Sequence, residues 1–243
     1  MKRLILCCDG TWNKPDEEKN GRPIPTNVVR LAYRVAKRDG AVPQITYYDM
    51  GVGTGNVIDR LAGGVLGEGL EGNIHDAYRF LIGNYELGDE IYLFGFSRGA
   101  FTARSIGGMV RKCGILRRGA VDKYREAKDL YHSSVHPDDA PAVAFRKVNS
   151  LSPDEPIKIR FIGVWDTVGS LGIPKKGGVA KELQFHDTEL SGTVAETAGE
   201  CMFICKLLLS ITVSRRMVAG RYHFTTYSTD YWLLARGCGL IAP

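Results

Sequence analysis

Ile91-Tyr92-Leu93-Phe94-Gly95-Phe96-Ser97-Arg98-Gly99-Ala100 is the stretch from which the rest of the chain is read. Its apolar opening fits a buried strand, and Gly95-Phe96-Ser97-Arg98-Gly99 fits the sharp strand-to-helix turn that presents a serine hydroxyl. Ala100 to Lys112 continues at helical spacing, with Ile106 and Val110 on one side. A serine hydroxyl is a poor nucleophile at neutral pH, so the turn must project its oxygen to where a base can reach it. The flanking glycines remove the Cβ atoms that would crowd such a turn. In a chain of 243 residues with 29 glycines the pentapeptide alone is a weak signal. The strand before it and the helix after it give it weight.

Outward from this turn, Leu4 to Cys8 reads as a buried strand. Asn27 is read as the cap of a helix running to Asp39, with Val28, Leu31, Ala32, Val35 and Ala36 on one face. Ile45 to Met50 is a second strand. The glycine-rich segment from Gly51 to Gly72 is too irregular for a phosphate loop and reads as pocket lining. Ile74, Ala77, Tyr78, Leu81 and Ile82 follow at helical spacing, then the strand before Ser97. Residues 116–156 interrupt this alternation with a polar helical stretch, Tyr124 to Tyr131, and a loop bearing Pro137, Pro141, Pro153 and Pro156, read as an inserted helical cap. Ile157 to Val164 restores a strand, which Trp165-Asp166-Thr167 ends. Strands alternating with helices imply an α/β fold, a mostly parallel sheet with helices on both faces. Asp9, Asp49, Ser97 and Asp166 then share the carboxyl edge of the strands, where such sheets carry their sites.

The net charge is +5 and the basic residues are scattered, which gives nucleic-acid binding no support. A lipid or phosphate-bearing substrate, or a membrane surface, is compatible with that charge, as is an ordinary solvated surface. Six cysteines, at 7, 8, 113, 201, 205 and 238, lack paired zinc-type spacing and suit reduced thiols in a cytoplasm. No metal and no cofactor is expected. Lys2-Arg3 is followed by only five apolar residues before Asp9, too few for a signal peptide. Cys201 to Val213 is interrupted by Lys206 and too short to span a bilayer. The expected location is therefore cytoplasmic.

Acyl transfer needs a nucleophile, a base, a carboxylate that orients the base, and donors for the oxyanion. Ser97 is the candidate nucleophile and Asp166 the candidate acid, with loop capping as the alternative role for Asp166. The backbone N–H of Arg98 and one from Asp9-Gly10-Thr11 are the candidate oxyanion donors. His186 and His223 follow Asp166 and are the candidate bases, although a structural or surface role fits each as well. A second chemistry starts from Asp9: a strand ending in Asp-x-Thr also occurs where an aspartate takes a phosphoryl group with Mg²⁺. Neither Cys7 nor Thr11 supplies the second acid of that motif, and it leaves the serine turn unexplained.

Six segments in order resemble one family: Cys8-Asp9-Gly10-Thr11-Trp12-Asn13, Pro25-Thr26-Asn27-Val28, Tyr48-Asp49-Met50-Gly51-Val52-Gly53-Thr54, Gly95-Phe96-Ser97-Arg98-Gly99-Ala100, Gly163-Val164-Trp165-Asp166-Thr167-Val168-Gly169 and Phe185-His186-Asp187-Thr188. They are similar to the α/β-hydrolase domain of the type VI secretion lipase effectors and their uncharacterised relatives. The resemblance covers about residues 1–192 and implies a serine esterase or phospholipase with Ser97 as nucleophile and Asp166 as triad acid. It also implies export without a signal peptide. Members of that family continue into a Gly-Val-His-x-Asp-Val-Gly-Gly segment whose histidine completes the triad, and this chain contains no such segment. Residues 193–243 depart from the pattern, hold three of the six cysteines and have no proline before Pro243. They are read as a truncated or frameshifted tail, which makes the sheet incomplete at its C-terminal end. A non-catalytic binding protein that keeps the hydrolase fold is the alternative function.

Overall fold

A computed structural model describes residues 1–10, 13–51 and 66–165. Its frame is a five-stranded sheet in the order β4-β5-β1-β6-β7. The strands are β1 (Arg3–Cys8), β4 (Arg38–Asp39), β5 (Val42–Asp49), β6 (Glu90–Phe96) and β7 (Phe161–Trp165). β5, β1, β6 and β7 run parallel, and only β4 is antiparallel to its neighbour. A parallel strand is covered on both faces, so its side chains are apolar whichever way they point. In β1, Leu4, Leu6 and Cys8 join the core beneath α2 (Leu66–Asn84) and α3 (Arg98–Cys113). Ile5 and Cys7 point the other way and pack with Val28 and Leu31 of α1 (Asn27–Ala32). The mostly parallel sheet with helices on both faces is thus the α/β architecture expected.

Two local expectations are corrected. The first helix stops at Ala32 instead of reaching Asp39, and its cap is Thr26, whose Oγ accepts from the Val29 N–H at 3.0 Å. Beyond Tyr33 the chain turns back: Gln44 N–H donates to the Lys37 carbonyl at 2.9 Å, and Gly40, at φ +56°, makes the hairpin from β4 into β5. Pairing to the sheet edge outweighs the local helical pattern. A second hairpin joins β2 (Glu18–Lys19) to β3 (Arg22–Pro23) through Asn20 and Gly21, both at positive φ. An Asn-Gly pair between two extended segments is the sequence signal for such a turn.

Residues 116–156 do contain helices: a 3₁₀ segment (Arg118–Lys123), α4 (Tyr124–His132) and α5 (Ala140–Asn149). Their anchoring contacts reach α2 and the last turn of α3. Arg146 donates to the carbonyls of Arg111 (3.3 Å), Lys112 (3.0 Å) and Pro137 (2.7 Å), and Lys112 donates to those of Tyr131 and Ser133. Cations belong there, because carbonyls at a helix C-terminus lack intrahelical donors and carry the negative end of the dipole. This end of α3 lies about 22 Å along the helix from Ser97, at about 1.5 Å per residue. Arg146→Met should therefore strand several buried carbonyls and cost about 3 kcal/mol in guanidinium unfolding. A cost below about 1 kcal/mol would show that α3 and α5 hold together without the guanidinium.

Candidate active site

Ser97 stands between β6 and α3 with φ +53° and ψ −118°. Among the described residues only Asn20 shares a positive φ without being glycine. Such backbone costs on the order of 1–3 kcal/mol and persists only where its surroundings enforce it. Here the Ser97 N–H donates to the Trp165 carbonyl at 2.9 Å, and the Ala100 N–H donates to the Ser97 carbonyl at 3.1 Å. The glycines serve close approach. A Cβ on Gly95 would strike the Gly99 carbonyl oxygen and lie 2.6 Å from Ala100 Cα. One on Gly99 would strike the Cys8 carbonyl oxygen and lie 2.5 Å from that of Asp9. α3 therefore starts directly on the end of β1, and Ser97 sits half-buried at the positive end of a 16-residue helix. The Arg98 N–H belongs to the first turn, whose donors have no partner within the helix.

The loop after β1 presses on this turn from the side. A Cβ on Gly10 would lie 2.7 Å from Asn13 Nδ2 and 2.8 Å from Phe96 Cδ1. Asp9 is only 2% exposed: its Oδ1 accepts from the Gly10 N–H (2.8 Å), and its Oδ2 accepts from Thr26 Oγ (2.7 Å) and the Tyr48 hydroxyl (2.8 Å). Burial raises its pKa, and those three donors pull it back. Asp9 thus ties β1 to α1 and β5. A carboxylate so covered has no open line to a phosphorus atom, which removes the ground for phosphoryl transfer at Asp9. The Asp9 N–H donates to the Asp49 carbonyl at 2.9 Å and the Gly10 N–H is held by Asp9, so neither is free for an oxyanion. Thr11 lies outside the described residues, as do Asp166, His186 and His223.

Asp49 received no role from the sequence beyond its place on the strand edge. It pairs in register with Cys8, its Oδ2 is buried without a partner among the described residues, and Asn73 bonds the same carboxyl group. Burial pushes its pKa up to about 7. The available signal was its position, an aspartate closing a strand beside another strand that also leads into an aspartate. The structure thus brings together Ser97, Arg98, Gly10 and Asp9, with Asp49 beside them, at one edge of the sheet.

Comparison with known proteins gives this edge a context. The family described as "T6SS, Phospholipase effector Tle1-like, catalytic domain" matches residues 2–200. An uncharacterised protein of Saccharomyces cerevisiae is 34% identical over 196 residues, covering 71% of this chain and 27% of the yeast protein. The chain thus spans about a quarter of that relative's length. No solved structure matches. Among the described residues no helix is long and apolar enough to cross a membrane.

Two substitutions test the site's construction. Gly99→Ala should destabilise by about 3 kcal/mol or more in urea unfolding, because the new methyl meets backbone, which cannot rotate aside. For Asp49, the folded pKa near 7 lies above the unfolded value of about 4, so the native state holds the proton more tightly and loses stability as pH rises between the two. Asp49→Asn should flatten that loss, raising the melting midpoint relative to wild type at pH 8 more than at pH 4. An equal shift at both would show that Asp49 titrates normally.

Proposed function

Because this chain belongs to the family of Tle1-like phospholipase effector catalytic domains of type VI secretion, we propose that it hydrolyses a carboxylic ester of a lipid, with Ser97 as nucleophile. The observation that carries this reading is the strained Ser97 backbone, held at the N-terminus of α3 by two glycines that admit no side chain. Strain of this kind is retained where a side chain must be presented. The Ser97 hydroxyl would pass its proton to a histidine as its oxygen bonds to the ester carbonyl carbon. The Arg98 N–H and the loop after β1 would receive the oxyanion, with Thr11 as the loop donor left after Asp9 and Gly10 are accounted for. The alcohol then departs with the histidine's proton, and water cleaves the acyl-Ser97 ester by the same steps in reverse order.

Asp166 follows Trp165 directly in the sequence, and the Trp165 carbonyl accepts from the Ser97 N–H. That tether favours it as the carboxylate that orients the base. Of the two candidate bases, His186 falls inside the matched residues 2–200 and His223 outside them. The +5 charge suits an anionic lipid surface. A second reading is a lipid-binding protein that keeps the hydrolase fold without turnover.

Hydrolysis of p-nitrophenyl esters, with labelling by a fluorophosphonate, divides the two. An enzyme should lose about 10,000-fold in kcat for Ser97→Ala and for one of His186→Ala and His223→Ala, with labelling abolished in the serine variant. Wild-type turnover no better than that of Ser97→Ala, together with no labelling, would make this chain a binding protein.

A further inference from the structure

Away from Ser97, α2 and α4 face each other through two pairs of side chains spaced one turn apart. Glu71 and His75 project from α2, and Lys128 and His132 from α4. All four meet at one atom, Glu71 Oε1. His75 Nε2 is 3.3 Å from it, His132 Nε2 is 3.3 Å from it, and Lys128 Nζ is 2.6 Å from it. The ligand atoms of Glu71, His75 and His132 all lie within 4.8 Å of one another.

We propose that Glu71, His75 and His132 form a binding site for a divalent transition metal of the zinc type, with Lys128 as its built-in cationic competitor.

The distances carry this. Four-coordinate zinc binds nitrogen and carboxylate oxygen at about 2.0–2.1 Å, so adjacent ligands of a tetrahedron stand about 3.3–3.4 Å apart. Two edges of the triangle already have that length. Both are also long for an N–H···O hydrogen bond, whose usual length is about 2.9–3.0 Å. Two histidines and one glutamate are also a donor set that zinc accepts, with water completing the coordination.

The site is also built for its position. The His75 side chain is 7% exposed and packed edge-on against the Tyr124 ring at 5.8 Å, while His132 is 38% exposed and opens the site to solvent. Among the described residues His75 Nδ1 is buried with no partner, and Nε2 is the ring nitrogen turned to Glu71. Lys128, 40% exposed on a flexible stem, can swing into water when a metal arrives. The metal would clamp the inserted helix α4 to α2, a core helix, across segments far apart in the chain.

Two rival ligands lie in the same chain, Cys201 and Cys205, and the test must separate them. Cobalt(II) is titrated into the full-length chain as a visible probe, and zinc affinity is measured by displacing it. The expected result is one tetrahedral cobalt spectrum without a thiolate charge-transfer band. His132→Ala and Glu71→Gln should each weaken binding by about a hundredfold or more. Lys128→Met, which removes only the competitor, should tighten binding about two- to fivefold, the size of one partly exposed charge pair. His132 and Lys128 are surface positions, so these variants fold, as circular dichroism would verify, and His136→Ala serves as the neutral control. A thiolate band, an octahedral spectrum, or unchanged affinity in His132→Ala would each overturn the assignment.

Discussion

The start of α3 rests on the carbonyls that end β1, and nothing but glycine fits at the contact. Gly99 lets the helix backbone touch the Cys8 and Asp9 carbonyls, and Gly95 lets the preceding strand pass beneath the first turn. That proximity bends the chain at Ser97 into a conformation an ordinary residue avoids. It sets the separation of β1 and β6, the seat of the loop at Gly10 against Phe96, and the meeting of Ser97 with the carbonyl of Trp165. β7 makes a similar accommodation, since a Cβ at Gly163 would lie 2.6 Å from the Phe161 ring and 2.9 Å from that of Phe94. Close backbone approach is thus the shared device along the edge that carries the site.

Two aspartates on that edge meet burial in opposite ways. Asp9 is covered but served by three donors, which oppose the upward pull of burial and hold β1, α1 and β5 in place. Asp49 leaves one buried oxygen without a donor among the described residues, and its carboxyl group is driven towards the protonated form. Their difference is one of donors supplied, since both side chains sit where parallel strands end.

The inserted helices obey the same electrostatic logic at the other end of α3. Lys112 and Arg146 are buried, and carbonyl oxygens at helix ends accept their hydrogen bonds. Arg111 spends one nitrogen on Asp138 at 2.5 Å, while its Nε and Nη1 are buried without partners. The insertion is therefore joined to the sheet domain by polar bonds as well as by Ala127, Tyr131 and Ile157 in the common core.

Local patterns in the chain were enough for the strand-turn-helix at Ser97, for β1, β5 and β6, for the two helices packed beneath them, and for the presence of helix within residues 116–156. Each is an apolar run or a 3.6-residue periodicity closed by glycine, and such patterns depend on near neighbours. The same reading carried the first helix to Asp39, because its periodicity continued; only the open edge of β5, unseen in the sequence, turned those residues into a strand. It named Asp9 as a pocket residue without its donors, since Thr26 and Tyr48 come to it from 17 and 39 positions away. It also passed over Glu71 and His75, because an i,i+4 pair on a helix is commonplace until α4 brings His132 and Lys128 to the same oxygen. Neighbouring residues write the elements, whereas the chemistry of a site is written by residues distant in the chain, whose approach depends on how the finished elements pack.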